Sequence, residues 1–142
     1  MKIVIVYESM FIVGAPTHAR RLSRPATRAE AVKEAADPER GLTLEPKASV
    51  AGIREWLAAG PDVPACFAAF DTRSDVALIL SGAASAKIDH KLRALGAKRL
   101  VDAESFLVKD NRLETTEQDR ATAWGRQVAQ AAEKSLAQIP AV

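Results

Sequence analysis

An α/β fold built on a parallel sheet is what this chain predicts, and three observations carry the expectation. Apolar runs of β-branched residues without polar alternation, such as Ile3-Val4-Ile5-Val6, suit strands covered on both faces. These runs alternate with helical patterns in the order β, β, short α, α, β, α, β, α, the signature of βαβ units. The 142 residues, 48% apolar and 27% charged, fit one domain over residues 1–142 with a real core. No internal repeat, low-complexity tract or second domain interrupts the pattern.

The first strand is read over Met1–Tyr7, and a second through Met10-Phe11-Ile12-Val13, ending at Gly14-Ala15-Pro16. Only Glu8 and Ser9 separate them. Two residues close an antiparallel hairpin, whereas neighbouring parallel strands need a crossover of about a dozen or more. Thr27-Arg28-Ala29-Glu30 forms a capping-box pattern for a short helix ending near Ala36, stopped by Asp37-Pro38. Glu39–Lys47 reads as a mobile surface loop. Ser49 is placed to cap a helix over Val50–Ala59, with Val50, Ile53, Trp56 and Leu57 on one face and Gly60-Pro61 as the stop. Val63–Phe70 predicts a third strand and Asp71–Asp75 a polar loop; Val76–Leu80 is apolar but of undecided type. Ser81-Gly82 leads into a helix carrying Ile88, Leu92 and Leu95, closed by Gly96. Arg99–Val108 contains a strand. A last helix starts at Thr115 or Thr116, with a stripe of Ala121, Trp124, Val128, Ala132 and Leu136.

Composition narrows the function classes. A net charge of +2 is too weak to argue for nucleic acid or an anionic membrane. No segment approaches the roughly 18 apolar residues that a membrane span needs, and Lys2 with its short apolar run is no signal-peptide core. The expectation is a cytoplasmic protein. The single cysteine, Cys66, leaves no intrachain disulfide and reads as a small buried hydrophobe. His90 reads as surface, Trp56 and Trp124 as core. Zinc-ligand spacing, a Gly-x-Ser-x-Gly elbow, a dinucleotide fingerprint and a Walker loop are all missing from the sequence.

In open α/β sheets, ligands bind beyond the carboxyl ends of the strands. Three loops follow strands here: Glu8-Ser9, Pro16-Thr17-His18-Ala19 and Asp71-Thr72-Arg73. These residues, with Val6-Tyr7-Glu8-Ser9-Met10-Phe11, Val13-Gly14-Ala15-Pro16-Thr17-His18-Ala19, Ser23-Arg24-Pro25, Ala69-Phe70-Asp71-Thr72-Arg73, Ser81-Gly82-Ala83-Ala84 and Glu104-Ser105-Phe106-Leu107-Val108, make the chain resemble the flavodoxin-like domain proteins from end to end. The resemblance implies a flavodoxin-like three-layer sandwich with a parallel sheet and an FMN site formed by three loops. Its phosphate loop begins at Ser9, at what should be a helix N-terminus, and breaks off after Phe11. The phosphate loop, first helix and second strand are then missing, and the fold is truncated near its N-terminus.

The ring half of the implied site is fuller. Thr17, His18 and Ala19, preceded by Pro16, and Asp71, Thr72 and Arg73 match the loops that flank the isoalloxazine. There His18 lies against the ring or donates to a carbonyl, and Thr17 and Thr72 reach the pyrimidine edge. The plainer alternatives are a tight turn shaped by Thr17 and His18, and an Asp71–Arg73 surface pair. Ser81–Ala84 opens a helix that either holds an anion or simply starts. Arg20, Arg21, Arg24 and Arg28 form a basic cluster for an acidic redox partner protein, or a solvated face.

Losing a helix and strand leaves Ile3–Val6 at a sheet edge and uncovers one face. Three accounts follow: residues absent from this sequence, a shortened chain that forms a homodimer, or one long bent strand over Met1–Val13. Two functions follow as well. One is an FMN-dependent electron carrier or small flavin oxidoreductase. The other is a flavodoxin-like domain without FMN that serves as an interaction or oligomerisation module.

Overall fold

Side chains alternate across a strand, and this alternation sorts the apolar residues into two cores. Val13, Ala15, Phe67 and Ala69 belong to one, and Met10, Ile12, Cys66 and Ala68 to the other. The computed structural model describes residues 3–7, 10–17, 21–77, 82–110 and 112–138. Its strands are β1 (Ile3–Tyr7), β2 (Met10–Pro16), β3 (Cys66–Ser74), β4 (Lys98–Arg99), β5 (Glu104–Lys109) and β6 (Arg112–Leu113). They form one sheet in the order β1-β2-β3-β5-β6, with β4 also beside β3. The helices are α1 (Pro25–Ala35), α2 (Ile53–Ala58), α3 (Ala84–Ala94) and α4 (Thr115–Leu136), with a 3-10 turn at Pro38–Arg40. The protein is thus a mixed α/β structure with a largely parallel sheet: β3 runs parallel to β2, β4 and β5.

The first junction departs from the parallel expectation. β1 and β2 pair antiparallel, from Ile3 opposite Gly14 to Tyr7 opposite Met10. The two-residue link leaves no other way to place these strands side by side. The hairpin overturns the reading of β1 as a parallel member of the sheet, and equally the reading of Met1–Val13 as one bent strand. Val4, expected under cover on both faces, is 37% exposed.

β3 is central. Cys66, Phe67, Ala68 and Ala69 are each at most 2% exposed, so both faces are covered at this strand. On one face Ile53 and Leu57 of α2 and Ala84, Ile88 and Leu92 of α3 close the core; on the other, Val128 and Ala132 of α4 do so, with Trp124 packed against them. Burial pushes the Cys66 thiol above its ordinary pKa, against the pull of the Lys98 charge. Gly14 is required on β2, because a Cβ there would overlap the Phe70 ring on the neighbouring strand. Phe70 in turn meets Phe106 and Trp124, at centroid distances of 6.1 and 5.8 Å.

Several boundaries move for local reasons. α1 starts at Pro25, whose fixed φ suits a first helical position, so Thr27 lies inside the first turn and accepts from the Arg24 N–H at 2.9 Å. α2 starts at Ile53 rather than Val50, since Glu55 reaches back to the Gly52 N–H at 2.8 Å; Val50 is left 56% exposed and Ser49 is no cap. β3 runs on to Ser74 through most of the expected polar loop, because β2 and β5 continue alongside it. Leu95 falls outside α3 and is exposed, and Gly96 follows at φ +96°. His90 is exposed and Val76 is exposed, while residues 78–81 lie outside the described residues.

A polar clamp ties α4 to β5. Glu117, buried in the first turn of α4, accepts from the Leu107 N–H at 2.8 Å and from Arg120 Nη1 at 2.7 Å through both oxygens. Arg120 also donates to Glu104 Oε1 at 2.7 Å and lies 5.6 Å from the Phe106 ring centroid. Burial opposes ionisation of Glu117, but the Leu107 N–H and the Arg120 guanidinium outweigh it and hold the carboxyl below its ordinary pKa. A depressed carboxylate stabilises the fold above the unfolded pKa and loses that contribution as pH falls through the folded one. Glu117→Gln is therefore expected to cost about 1–3 kcal/mol at neutral pH. Its penalty should shrink as pH drops below about 4.3, the ordinary glutamate value. Urea denaturation of both proteins across pH 3–7 checks this (about four steps suffice); a penalty that is independent of pH would contradict it.

Candidate functional site

Parallel pairing of β2 and β3 brings the ends of both strands to one sheet edge. Pro16 lies opposite Thr72 and Ala15 opposite Asp71, and the Thr17 N–H donates to the Thr72 carbonyl at 2.8 Å. Five of the expected site residues, Pro16, Thr17, Asp71, Thr72 and Arg73, thus belong to the β2 and β3 ends. Ser9, His18 and Ala19 lie outside the described residues.

Two polar side chains at this edge are turned onto α3. Thr17 Oγ1 accepts from the Ala84 N–H at 2.8 Å, and Asp71 Oδ2 accepts from the Ser85 N–H at 2.7 Å. The first N–H groups of a helix have no partner within it, and here two of them are satisfied by side chains from two different strands. A carboxylate also suits the positive end of the helix dipole. Asp71 is fully buried, and its Oδ1 is without a hydrogen-bond partner among the described residues.

Three local expectations change accordingly. Asp71 does not pair with Arg73, because it is committed to α3, while Arg73 Nη1 donates to the Val76 carbonyl at 2.9 Å. The helix start at Ala84, weighed as an anion site, is capped by Thr17 and the Asp71 carboxylate. The basic cluster is divided: Arg28 pairs with Glu55 at 3.1 Å with its side chain 11% exposed, and Arg20 lies outside the described residues. Burial works against the Glu55 charge, yet the Gly52 N–H and Arg28 outweigh it and lower the carboxyl pKa.

An FMN phosphate in the family's manner needs a helix N-terminus after the first strand. Here β1 is followed by two residues and then by β2, a strand from Met10 to Pro16. The residues present do not fit that cradle. At the ring end, the Thr17 hydroxyl and one oxygen of the buried Asp71 carboxylate are occupied in holding α3.

The sequence reading passed over Arg54, Lys87 and Lys91, which line one pocket with Arg21. The two lysines at i and i+4 were the available signal, but their convergence with Arg54 depends on how α2 meets α3. No protein-family model, curated protein or solved structure matches the chain.

Asp71→Ala removes the acceptor for a buried N–H and is expected to destabilise the fold by about 1–3 kcal/mol. Asp71→Asn, which keeps an acceptor, should cost less. Urea unfolding compares the two, and an equal or smaller loss in the alanine variant would show that the Ser85 N–H does not depend on Asp71.

Proposed function

We propose that the chain is a flavodoxin-like three-layer sandwich that works without FMN, as an association module pairing with a second copy of itself through β1. The observation that carries this reading is the antiparallel hairpin from Tyr7 to Met10, which leaves a two-residue link where a phosphate-binding loop and helix would be needed. The strand order supports the fold assignment. Removing the second strand from the flavodoxin-like order 2-1-3-4-5 leaves a path of four neighbours in chain order, which β1, β2, β3 and β5 follow. Helices on both faces of β3 agree with a three-layer arrangement.

The choice of a second copy rests on the edge. β1 heads the sheet order, with β2 on one side and no strand on the other among the described residues. Ile3-Val4-Ile5-Val6-Tyr7 carries no charge or proline of the kind that protects an exposed edge. Two such strands related by a two-fold axis complete each other's hydrogen bonding in one step.

A second reading, an FMN-dependent redox protein that exchanges electrons with a partner protein, draws on the meeting of Thr17 with Thr72 at the strand ends. In that case the flavin supplies the redox chemistry and these residues would border its ring.

Light scattering after size exclusion is expected to give twice the chain mass of 15.2 kDa. Val4→Lys should give the single-chain mass with an unchanged far-UV circular dichroism spectrum. A wild-type monomer at every concentration would refute self-association. Purified protein should be colourless and ignore added FMN; absorbance near about 450 nm, the region of oxidised flavin, would restore the redox reading.

A further inference from the structure

Arg21, Arg54, Lys87 and Lys91 surround a pocket of about 610 Å³ between α2, α3 and residues 21–22, with Leu22 and Leu57 also lining it. We propose that this pocket binds a small organic phosphate: a phosphomonoester dianion carried on an apolar or aromatic body. The inference is independent of how β1 pairs and of whether flavin binds at the strand ends.

The backbone positions of three of the cations are fixed by the core. Arg54 follows Ile53, Lys87 precedes Ile88 and Lys91 precedes Leu92, and these three apolar neighbours are at most 3% exposed. Arg54 is further fixed by its own donors, with Nε to the Ser23 carbonyl at 3.1 Å and Nη2 to the Leu22 carbonyl at 2.5 Å. A guanidinium has five N–H groups, so this anchoring leaves others for a ligand and orients them in advance.

The charge is uncompensated. Among the described residues none of the four cations enters an ion pair and no acidic residue lines the pocket. Lys87 and Lys91 stand at i and i+4 on α3, a spacing at which like charges repel. An anion relieves this repulsion. Several N–H donors from different elements suit the three terminal oxygens of a phosphomonoester better than the two of a carboxylate. Leu22 and Leu57, 6% and 4% exposed, offer apolar contact to the body of the ligand, and the volume lies within the range of small-molecule sites.

Isothermal titration of the full chain with phenyl phosphate, inorganic phosphate and benzyl alcohol tests the proposal. Phenyl phosphate should saturate with a Kd below about 1 mM, inorganic phosphate should bind more weakly, and benzyl alcohol should give no heat. Lys87→Gln/Lys91→Gln, which alters two exposed side chains, should weaken phenyl phosphate binding by about tenfold or more with an unchanged melting temperature. If the double variant fails to fold, either single variant should show a smaller loss in the same direction. No saturation by the wild type, or equal affinity in the folded variants, overturns the proposal. So does a short single-stranded oligonucleotide that binds the wild type and is not displaced by phenyl phosphate.

Discussion

Cys66, Phe67, Ala68 and Ala69 occupy four consecutive positions of β3 with almost no exposed surface, and the remaining architecture answers to that constraint. Successive strand residues face opposite ways, so a run buried at every position needs cover on both sides. α2 and α3 provide it on one face and α4 on the other. Parallel neighbours on both edges satisfy the backbone, β2 on one and β4 with β5 on the other. Fixing β2 against β3 also fixes the strand ends, and this is why Thr17 and Asp71 meet the start of α3.

The ends of the sheet obey a different rule. A strand joined to its neighbour by two residues must reverse direction, whatever the preference of the rest of the sheet. β1 therefore adds area to the sheet without adding a crossover helix, and no strand among the described residues pairs with its other side. The Glu117–Arg120 clamp belongs to the opposite side of the molecule. There it offsets the desolvation of a buried carboxylate with a backbone donor and a guanidinium, joining α4 to β5 by polar contacts where α4 begins. Farther along α4 the bond to the sheet becomes apolar, through Val128 and Ala132.

Much of this was legible in the sequence, and the failures have particular causes. Ile88 and Leu92 at i and i+4, Val128 and Ala132, and Met10 and Val13 sit in the core, with Phe11 and Ile12 partly buried against it, because apolar patterning reports burial. The same periodicity says nothing about strand direction, and Ile3–Val6 reads alike in a parallel or antiparallel pair. The short link held that information, yet none of the three accounts drawn from it is the hairpin that forms. Polarity misled at Asp71-Thr72-Arg73, where strand length is set by partners on either side and not by local composition. The role of Asp71 was out of reach for a similar reason: its partner, the Ser85 N–H, is 14 residues away. Nothing in the local pattern around Arg54 indicates that its guanidinium will reach the carbonyls of Leu22 and Ser23.

The distribution of charge carries the last step. A net charge of +2 suggests a nearly neutral surface, but a sum over the chain hides which charges are already engaged. Glu55 is taken by Arg28, Asp89 by Arg93 and Arg99, and Glu104 and Glu117 by Arg120. These acids are committed to joining elements together: α2 to α1, α3 to β4, α4 to β5. Among the cations outside those pairs, Arg54, Lys87 and Lys91 line one pocket between α2 and α3, whose helices carry their apolar residues toward the sheet. At that pocket the lining cations meet no acidic residue among the described ones, so positive charge is locally unbalanced there. A local excess of positive charge thus coexists with an almost balanced total, and the total is the only quantity that composition reveals.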